Sequence, residues 1–318
     1  TEKPPEQVIN GKTADLKQAF IKEEEKPYTY QPADPEFWST VQNYLKEENP
    51  IAALVESAKK MDQKGKETLE GMEAFLALTQ GLKERHFLYA SFYFLVQIAQ
   101  EKLGTSIGEA ALFELNQFTQ NNIYDEETLH GLLINNEFGG LHPEINSFIS
   151  YFKAMDLLQF GFEEWAQVYL KSIKKNSYWD QLLQYWTAVG EVSRNRIDNA
   201  IILFQKLMNE VKADSPLFER IALQYARLVF EQGDFPTALT IYNNLGIKGV
   251  REIGRIQLER AWVHYYLKDY SKAMGILAAL KAPYFEPSLT FERHILEMII
   301  YRDLCHYAAV ESVAHLFR

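Results

Sequence analysis

Residues 225–245 read YARLVFEQGDFPTALTIYNNL, and residues 260–280 read RAWVHYYLKDYSKAMGILAAL. Each stretch is two helix-patterned apolar runs joined by a short polar turn. In Gln232-Gly233-Asp234-Phe235 and in Leu267-Lys268-Asp269-Tyr270 the Asp can cap the incoming helix, and the aromatic after it packs back into the pair. Working outward, a residue of the same kind returns at Phe87, Tyr124, Phe162, Ile197, Phe235, Tyr270 and Tyr307, with gaps of 37, 38, 35, 38, 35 and 37. Three residues later most units carry a small or apolar residue: Ala90, Trp165, Ala200, Ala238, Ala273 and Val310. Pro50 and Ala53 stand 37 residues before Phe87 and Ala90 and extend the period by one unit. A fixed period in this range with helical patterning predicts stacked helix pairs. Strand-like alternation is almost absent, so the expected fold is all-α: a right-handed α-solenoid of about seven to eight helix-turn-helix repeats.

The rest of the chain divides around that frame. Residues 1–33 hold four prolines, the run Glu23-Glu24-Glu25 and few apolar residues, which predicts a flexible N-terminal arm, either a plain linker or a strap along the solenoid. Asp34-Pro35-Glu36 reads as a helix start, so the solenoid is expected over 34–318. Phe138-Gly139-Gly140-Leu141-His142-Pro143 reads as a loop, and Glu127 stands where a small residue belongs, so the third unit is expected to be irregular. Of Phe92, Tyr93 and Phe94, at least one should face outward, because three consecutive residues point to different sides of a helix.

Composition limits the function. Net charge is -10, and from 211 onward 13 Lys and Arg stand against 12 Asp and Glu, so the acidity lies in the first two thirds. Such a surface repels nucleic-acid backbones and anionic lipid. The longest membrane-span candidate, 87–99, is short and contains Ser91 and Gln97. The single Cys305 excludes an intrachain disulfide or a cysteine-based zinc site, and its apolar surroundings predict a small core residue. The chain begins with Thr1, which is compatible with removal of an upstream secretory signal. Gly11-Lys12-Thr13 lacks the earlier Gly and the strand of a phosphate loop. The seven histidines form no i, i+4 pair, so neither metal nor cofactor is expected.

Tyr225-Ala226, Gly233-Asp234-Phe235, Ala238, Tyr242 and Leu245, followed by Ala261, Asp269-Tyr270, Ala273, Leu277, Leu280 and Pro283, resemble two successive tetratricopeptide repeats. The resemblance is clearest over 177–318. Glu259-Arg260-Ala261-Trp262, Tyr265-Tyr266, Lys281-Ala282-Pro283 and Tyr301-Arg302-Asp303-Leu304-Cys305 are also similar to envelope-associated tetratricopeptide proteins of gliding and predatory bacteria, which would imply an extracytoplasmic location. The family implies a non-catalytic scaffold whose first helices line a concave groove for a partner peptide or helix. Its register puts Tyr185, Arg220, Arg227, Arg255, Trp262, Tyr265, Tyr266 and Arg302 on that groove. These residue types dominate binding hot spots. The same arginines could instead pair with Glu219, Glu259, Glu292 or Asp303, and Trp262 could fill space between units. The carboxylate clamp known in the family is not carried over, because only Arg227 could serve among its positions. Two further readings stay open. One is a self-assembling envelope subunit, joined through the apolar stretch from Val310 to Phe317. The other is a helical-repeat cell-wall enzyme, which would need facing acids in a cleft.

Overall fold

The turn inside each predicted pair sets the architecture. In the computed structural model, which describes residues 27–245, 250–285 and 290–317, the first helix of each pair ends in one residue with positive φ. These are Glu48, His86, Asn122, Gly161, Asn195, Gly233, Lys268 and Cys305. At each, two backbone bonds close the helix end: Gly233 N–H donates to the Phe230 carbonyl at 2.9 Å, and Asp234 N–H to the Val229 carbonyl at 3.1 Å. Lys268 and Asp269 repeat this with Tyr265 and His264, both at 2.9 Å. This pair of bonds satisfies carbonyls that the helix end leaves open and reverses the chain within two or three residues.

The turns separate sixteen α-helices among the described residues. The first helices are α1 (Pro35–Lys46), α3 (Leu69–Glu84), α5 (Ser106–Gln120), α7 (Pro143–Gln159), α9 (Tyr178–Ser193), α11 (Pro216–Glu231), α13 (Val250–Tyr266) and α15 (Thr290–Asp303). Alternating with them are α2 (Pro50–Lys64), α4 (Leu88–Glu101), α6 (Glu126–Asn135), α8 (Glu163–Ser172), α10 (Ile197–Glu210), α12 (Phe235–Asn244), α14 (Tyr270–Ala279) and α16 (Tyr307–Ala314). Most helices pack on the next, α6 packs on α4 and α7, and most first helices also pack on neighbouring first helices, which makes the chain an α-solenoid of eight described helix pairs. No strand occurs among the described residues, and no helix there is long and apolar enough to cross a membrane.

Caps follow the sequence reading. Asp34 Oδ1 accepts from Phe37 N–H at 3.0 Å with Pro35 at the first helical position, and Asp234 and Asp269 cap α12 and α14. The register differs in three units, in one of which Tyr124 precedes the Asp125 cap. Phe87 and Phe162 are the caps themselves, whereas Ile197, Phe235, Tyr270 and Tyr307 are first helical residues. The small buried residue therefore falls one place later after Phe87 and Phe162, at Ser91 and Ala166, and Ala90 and Trp165 are exposed. Cys305 corrects a second expectation: it is the left-handed turn residue before α16 and is exposed, not a core residue. The third unit is irregular as expected, with two extra turn residues before the Asp125 cap, a 10-residue α6 and a loop through Phe138 to His142. Phe92 is buried, Phe94 packs on Phe75, and Tyr93 faces out.

The core is a chain of linked clusters. One joins the first two pairs around Phe37, Val41 and Ala77. The largest runs from Met72 through Phe148 and Trp179 to Leu228, and two smaller clusters serve the pairs after it. A sequence signal not anticipated sits where pairs join. Thr68 and Thr105, 37 residues apart, cap α3 and α5 by accepting from Gly71 and Gly108 N–H at 3.0 and 3.2 Å. The carbonyls of Gly65 and Lys102 lie over those glycines, 1.9 and 2.1 Å from where a Cβ would stand. Gly71→Ala is therefore expected to cost about 3 kcal/mol, the upper part of the overpacking range. Gly131→Ala in α6, with nothing within 4 Å of an added Cβ, should stabilise by about 0.5–1 kcal/mol. Urea midpoints of the two variants, compared with the parent chain, test both signs.

Candidate functional site

Arg220 is the fifth residue after the Ser215 cap, and Leu223 the eighth; Glu73 stands fifth after Thr68, and Phe113 and Tyr185 eighth after Thr105 and Ser177. Equal offsets on stacked first helices place these residues along one inner face. Two contacts show that this face closes on itself. The Arg220 guanidinium donates to Asn122 Oδ1 at 2.7 Å across 98 residues of sequence, and the Trp179 Nε1–H donates to Asn116 Oδ1 at 2.9 Å across 63.

Part of the inner face is occupied by the chain itself. Residues 27–33 lie there without regular secondary structure. The Tyr28 ring sits 4.6 Å from Phe113 and edge-on to His142 at 5.7 Å. Tyr30 meets Trp38 edge-on at 4.8 Å and donates its hydroxyl to Glu73 Oε1 at 2.9 Å. Glu73, fully buried, also accepts from the Ala33 and Asp34 N–H groups at 2.7 and 2.9 Å. Asp34 is held to Lys60 as well, and that charge and the Phe37 N–H keep its carboxyl below its usual range. The described end of the arm is thus a strap. Glu23, Glu24, Glu25 and Gly11-Lys12-Thr13 lie outside the described residues.

Further along, the predicted residues fall into two groups. Tyr185, Arg220, Arg227 and Arg255 line one open cavity of about 450 Å³ with Trp186, Leu223, Gln224 and Ile256. Tyr185 is largely buried against Phe204, and only its edge reaches this cavity. Arg227 makes a bidentate bond to Glu259, at 2.6 Å from Nη2 and 3.1 Å from Nε. Burial opposes its charge, and the Glu259 carboxylate more than restores it, so its pKa is raised. Arg255 also reaches Glu259, at 3.4 Å. Arg220 has no carboxylate partner among the described residues; its bond is to the neutral Asn122 side chain. Three guanidinium groups therefore face one carboxylate, and the cavity is locally cationic on an acidic protein.

The second group is more committed to packing. Trp262 Nε1–H donates to Glu292 at 3.0 Å, Tyr265 hydroxyl to Asp303 at 2.8 Å, and Arg302 to Asp303 at 2.7 Å. Tyr266 stacks on Phe235 at 4.8 Å, which locks the turn between α13 and α14 to the preceding pair. The pairing of Arg227 and Arg255 with Glu259, and of Arg302 with Asp303, is the alternative that the sequence left open.

Sequence reading missed a third region. A cavity of about 240 Å³ lies where the third to sixth pairs meet, lined by Tyr124, Tyr151, Tyr178, Trp186, Arg220 and the His130–Asp156 pair at 2.7 Å. Its aromatics come from different units, and no spacing signal links them. Burial pushes the Tyr151 hydroxyl up to about 12, and it pushes Tyr28, Tyr30 and Tyr242 higher still, with nearby carboxylates adding to the effect. A phenol whose folded pKa is raised contributes fully below pH 10, and the contribution is lost as pH rises from 10 toward the folded value. Stability is expected to fall as pH rises above 10, by up to about 1.4 kcal/mol per pH unit for the deeply buried Tyr151 and by less for Tyr242 and the half-buried Tyr28 and Tyr30. Urea midpoints at pH 9 and 11 check this, with a smaller drop expected for Tyr151→Phe. Among the described residues no group of three or more His, Cys, Asp or Glu is placed to hold a metal.

Stacked helix pairs with a 34 to 39-residue spacing of their turns define the class: an α-solenoid of helix-turn-helix repeats. No family model matches the chain, and no curated protein matches it. Among solved structures, a tetratricopeptide repeat protein from Parabacteroides merdae is similar at 15% identity with a TM-score of 0.48, covering 83% of this chain and 98% of that one. Human IFIT1, in a dimer with PPP-AAAA, is similar at 15% identity with a TM-score of 0.42, covering 88% of this chain and 78% of that one. Both likenesses are too distant to bear on what this chain binds, and neither supports the narrower likeness to envelope proteins of gliding bacteria.

Proposed function

We propose that the chain is a non-catalytic protein-interaction scaffold that holds an extended partner segment on its inner face. The observation that carries this reading is the strap: residues 27–33 already lie on that face, held by two tyrosine rings and by three hydrogen bonds to Glu73. The surface therefore has aromatic seats and a side-chain carboxylate that accepts from backbone N–H groups, as an extended chain needs. The cationic cavity around Arg220, Arg227 and Arg255 offers the next stretch of the same face to a partner carrying carboxylates. Preformed helix pairs keep the ordering cost of such binding low. The overall acidity argues against a nucleic-acid backbone as the partner.

The test is affinity capture with the intact chain and with an Arg220→Glu/Arg255→Glu variant, both side chains being exposed so that the fold should survive. Loss of a partner with the variant, at unchanged melting temperature, supports the groove. Equal capture by both moves the site elsewhere. A second reading rests on the last pair, where Ile295, Leu304, Tyr307 and Leu316 are exposed: self-association through that surface. A mass in solution that rises with concentration favours it, and a constant monomer mass removes it.

A further inference from the structure

We infer that the cavity of about 240 Å³ between the third and sixth pairs is an anchor site for one aromatic side chain of a partner segment, with an acidic residue of that segment next to it on Arg220. This rests on the scaffold reading and names the chemistry of its partner.

The walls fit a ring. Tyr151 and Phe152 of α7, Tyr178 and Trp186 of α9 and Tyr124 before α6 surround the space, and Met155 lines it too. An enclosed apolar space of about 150 Å³ is enough to hold benzene, so the volume accommodates a phenol or indole ring. Trp186 is 49% exposed and lines both this cavity and the cationic one, so its ring is accessible to a partner at the place where the two meet. The His130–Asp156 pair in the lining supplies a polar partner for a ring hydroxyl or N–H.

The occupant follows from two further observations. The strap shows how this inner face takes an extended chain: tyrosines two residues apart, each seated against aromatic side chains, with one ring edge-on to His142. The cavity offers the same combination of aromatic walls and a histidine one unit further on. Charge then sets what flanks the ring. Arg220 is shared by both cavities, is bonded among the described residues to the neutral Asn122 amide alone, and lies beside Arg227 and Arg255, which share Glu259. Glu126 of α6 also lines the space and would repel an acid, so the acid of the partner pairs with Arg220 of α11. The recognised motif is an aromatic residue adjacent to Asp or Glu in an extended segment.

Panning a random peptide display library against the full chain, then titrating a labelled selected peptide, tests this. The expected result is enrichment of an aromatic residue next to an acid. Trp186→Ala and Arg220→Gln should each weaken Kd by about 30-fold, the loss typical of a hot-spot residue. Trp186→Phe should retain most of the affinity, which separates ring recognition from a change in fold. Trp262→Ala should have little effect. If selected peptides lack the aromatic, or bind unchanged to Trp186→Ala and lose affinity with Trp262→Ala, the anchor site is overturned while the scaffold reading stands. If no peptide is enriched at all, both fail.

Discussion

Trp179→Ala is expected to lower the stability of the chain by about 3–5 kcal/mol, a large share of the total for a folded domain. The indole is almost fully buried and packs against the rings of Tyr151, Tyr178, Phe148 and Phe152, at centroid distances of 4.9, 5.1, 5.2 and 5.7 Å. Those rings belong to α7 and α9, and the indole N–H reaches Asn116 on α5. One side chain thus ties three successive pairs together. Alanine removes the ring, leaves a cavity that helices on three sides cannot close, and strips one donor from a buried amide. Trp179→Phe separates the two effects. It keeps most of the packing, and Asn116 Oδ1 still accepts from Gln120 at 3.0 Å, so the cost should be near 1 kcal/mol beyond the change in ring size. Urea unfolding followed by far-ultraviolet circular dichroism reads both. An alanine variant within 1 kcal/mol of the parent would show that the junction of these pairs is held elsewhere.

Glu73→Ala is expected to free the strap and to cost about 3 kcal/mol. Its carboxylate is fully buried and accepts the Tyr30 hydroxyl and the Ala33 and Asp34 amides. Bonds to a charged acceptor are worth about 1.5–3 kcal/mol each, but the three share one group and do not add. With the acceptor gone, two backbone donors at the start of α1 lose their partner, and only ring contacts keep residues 27–33 in place. Chymotrypsin should then cut after Tyr28 and Tyr30 at least ten times faster than in the parent chain, while sites in the helix pairs stay protected. Glu73→Gln, which keeps one acceptor oxygen, should fall between. Unchanged cleavage in Glu73→Ala would mean that the tyrosine seats alone fix the strap and that the scaffold reading has lost one of its supports.

Much of the frame was legible because its causes are local. Asp234 and Asp269 cap the helices that follow them, Pro35 and Pro50 open theirs, and the 35 to 38-residue recurrence marks the helix pairs. Two readings depart from the structure. The apolar surroundings of Cys305 predict a core residue, and it is an exposed turn residue; and the recurrence runs in the sequence from the aromatic residue, whereas the structure counts from the left-handed turn residue. That residue is Gly only at Gly161 and Gly233; at His86, Asn195, Lys268 and Cys305 the conformation is imposed by the two backbone bonds that close each helix, and side-chain identity does not announce it. For the site, the stacking of α9, α11 and α13 brought Tyr185, Arg220, Arg227 and Arg255 to one cavity, as periodicity allows.

By itself the amino-acid sequence determined the helices, their pairing, the repeat and the residue types on the inner face, since all of these follow from caps, turns and a period of 3.6 within one or two units. Only the tertiary structure decided which arginine stays without a carboxylate, where the strap lies, and that Asn122 meets Arg220 and Asn116 meets Trp179. Those contacts depend on how much each pair rotates against the next, a small angle fixed by side-chain packing at every interface and summed over several units. No single stretch of sequence encodes that sum, so the cavity it closes becomes visible only when the pairs are stacked.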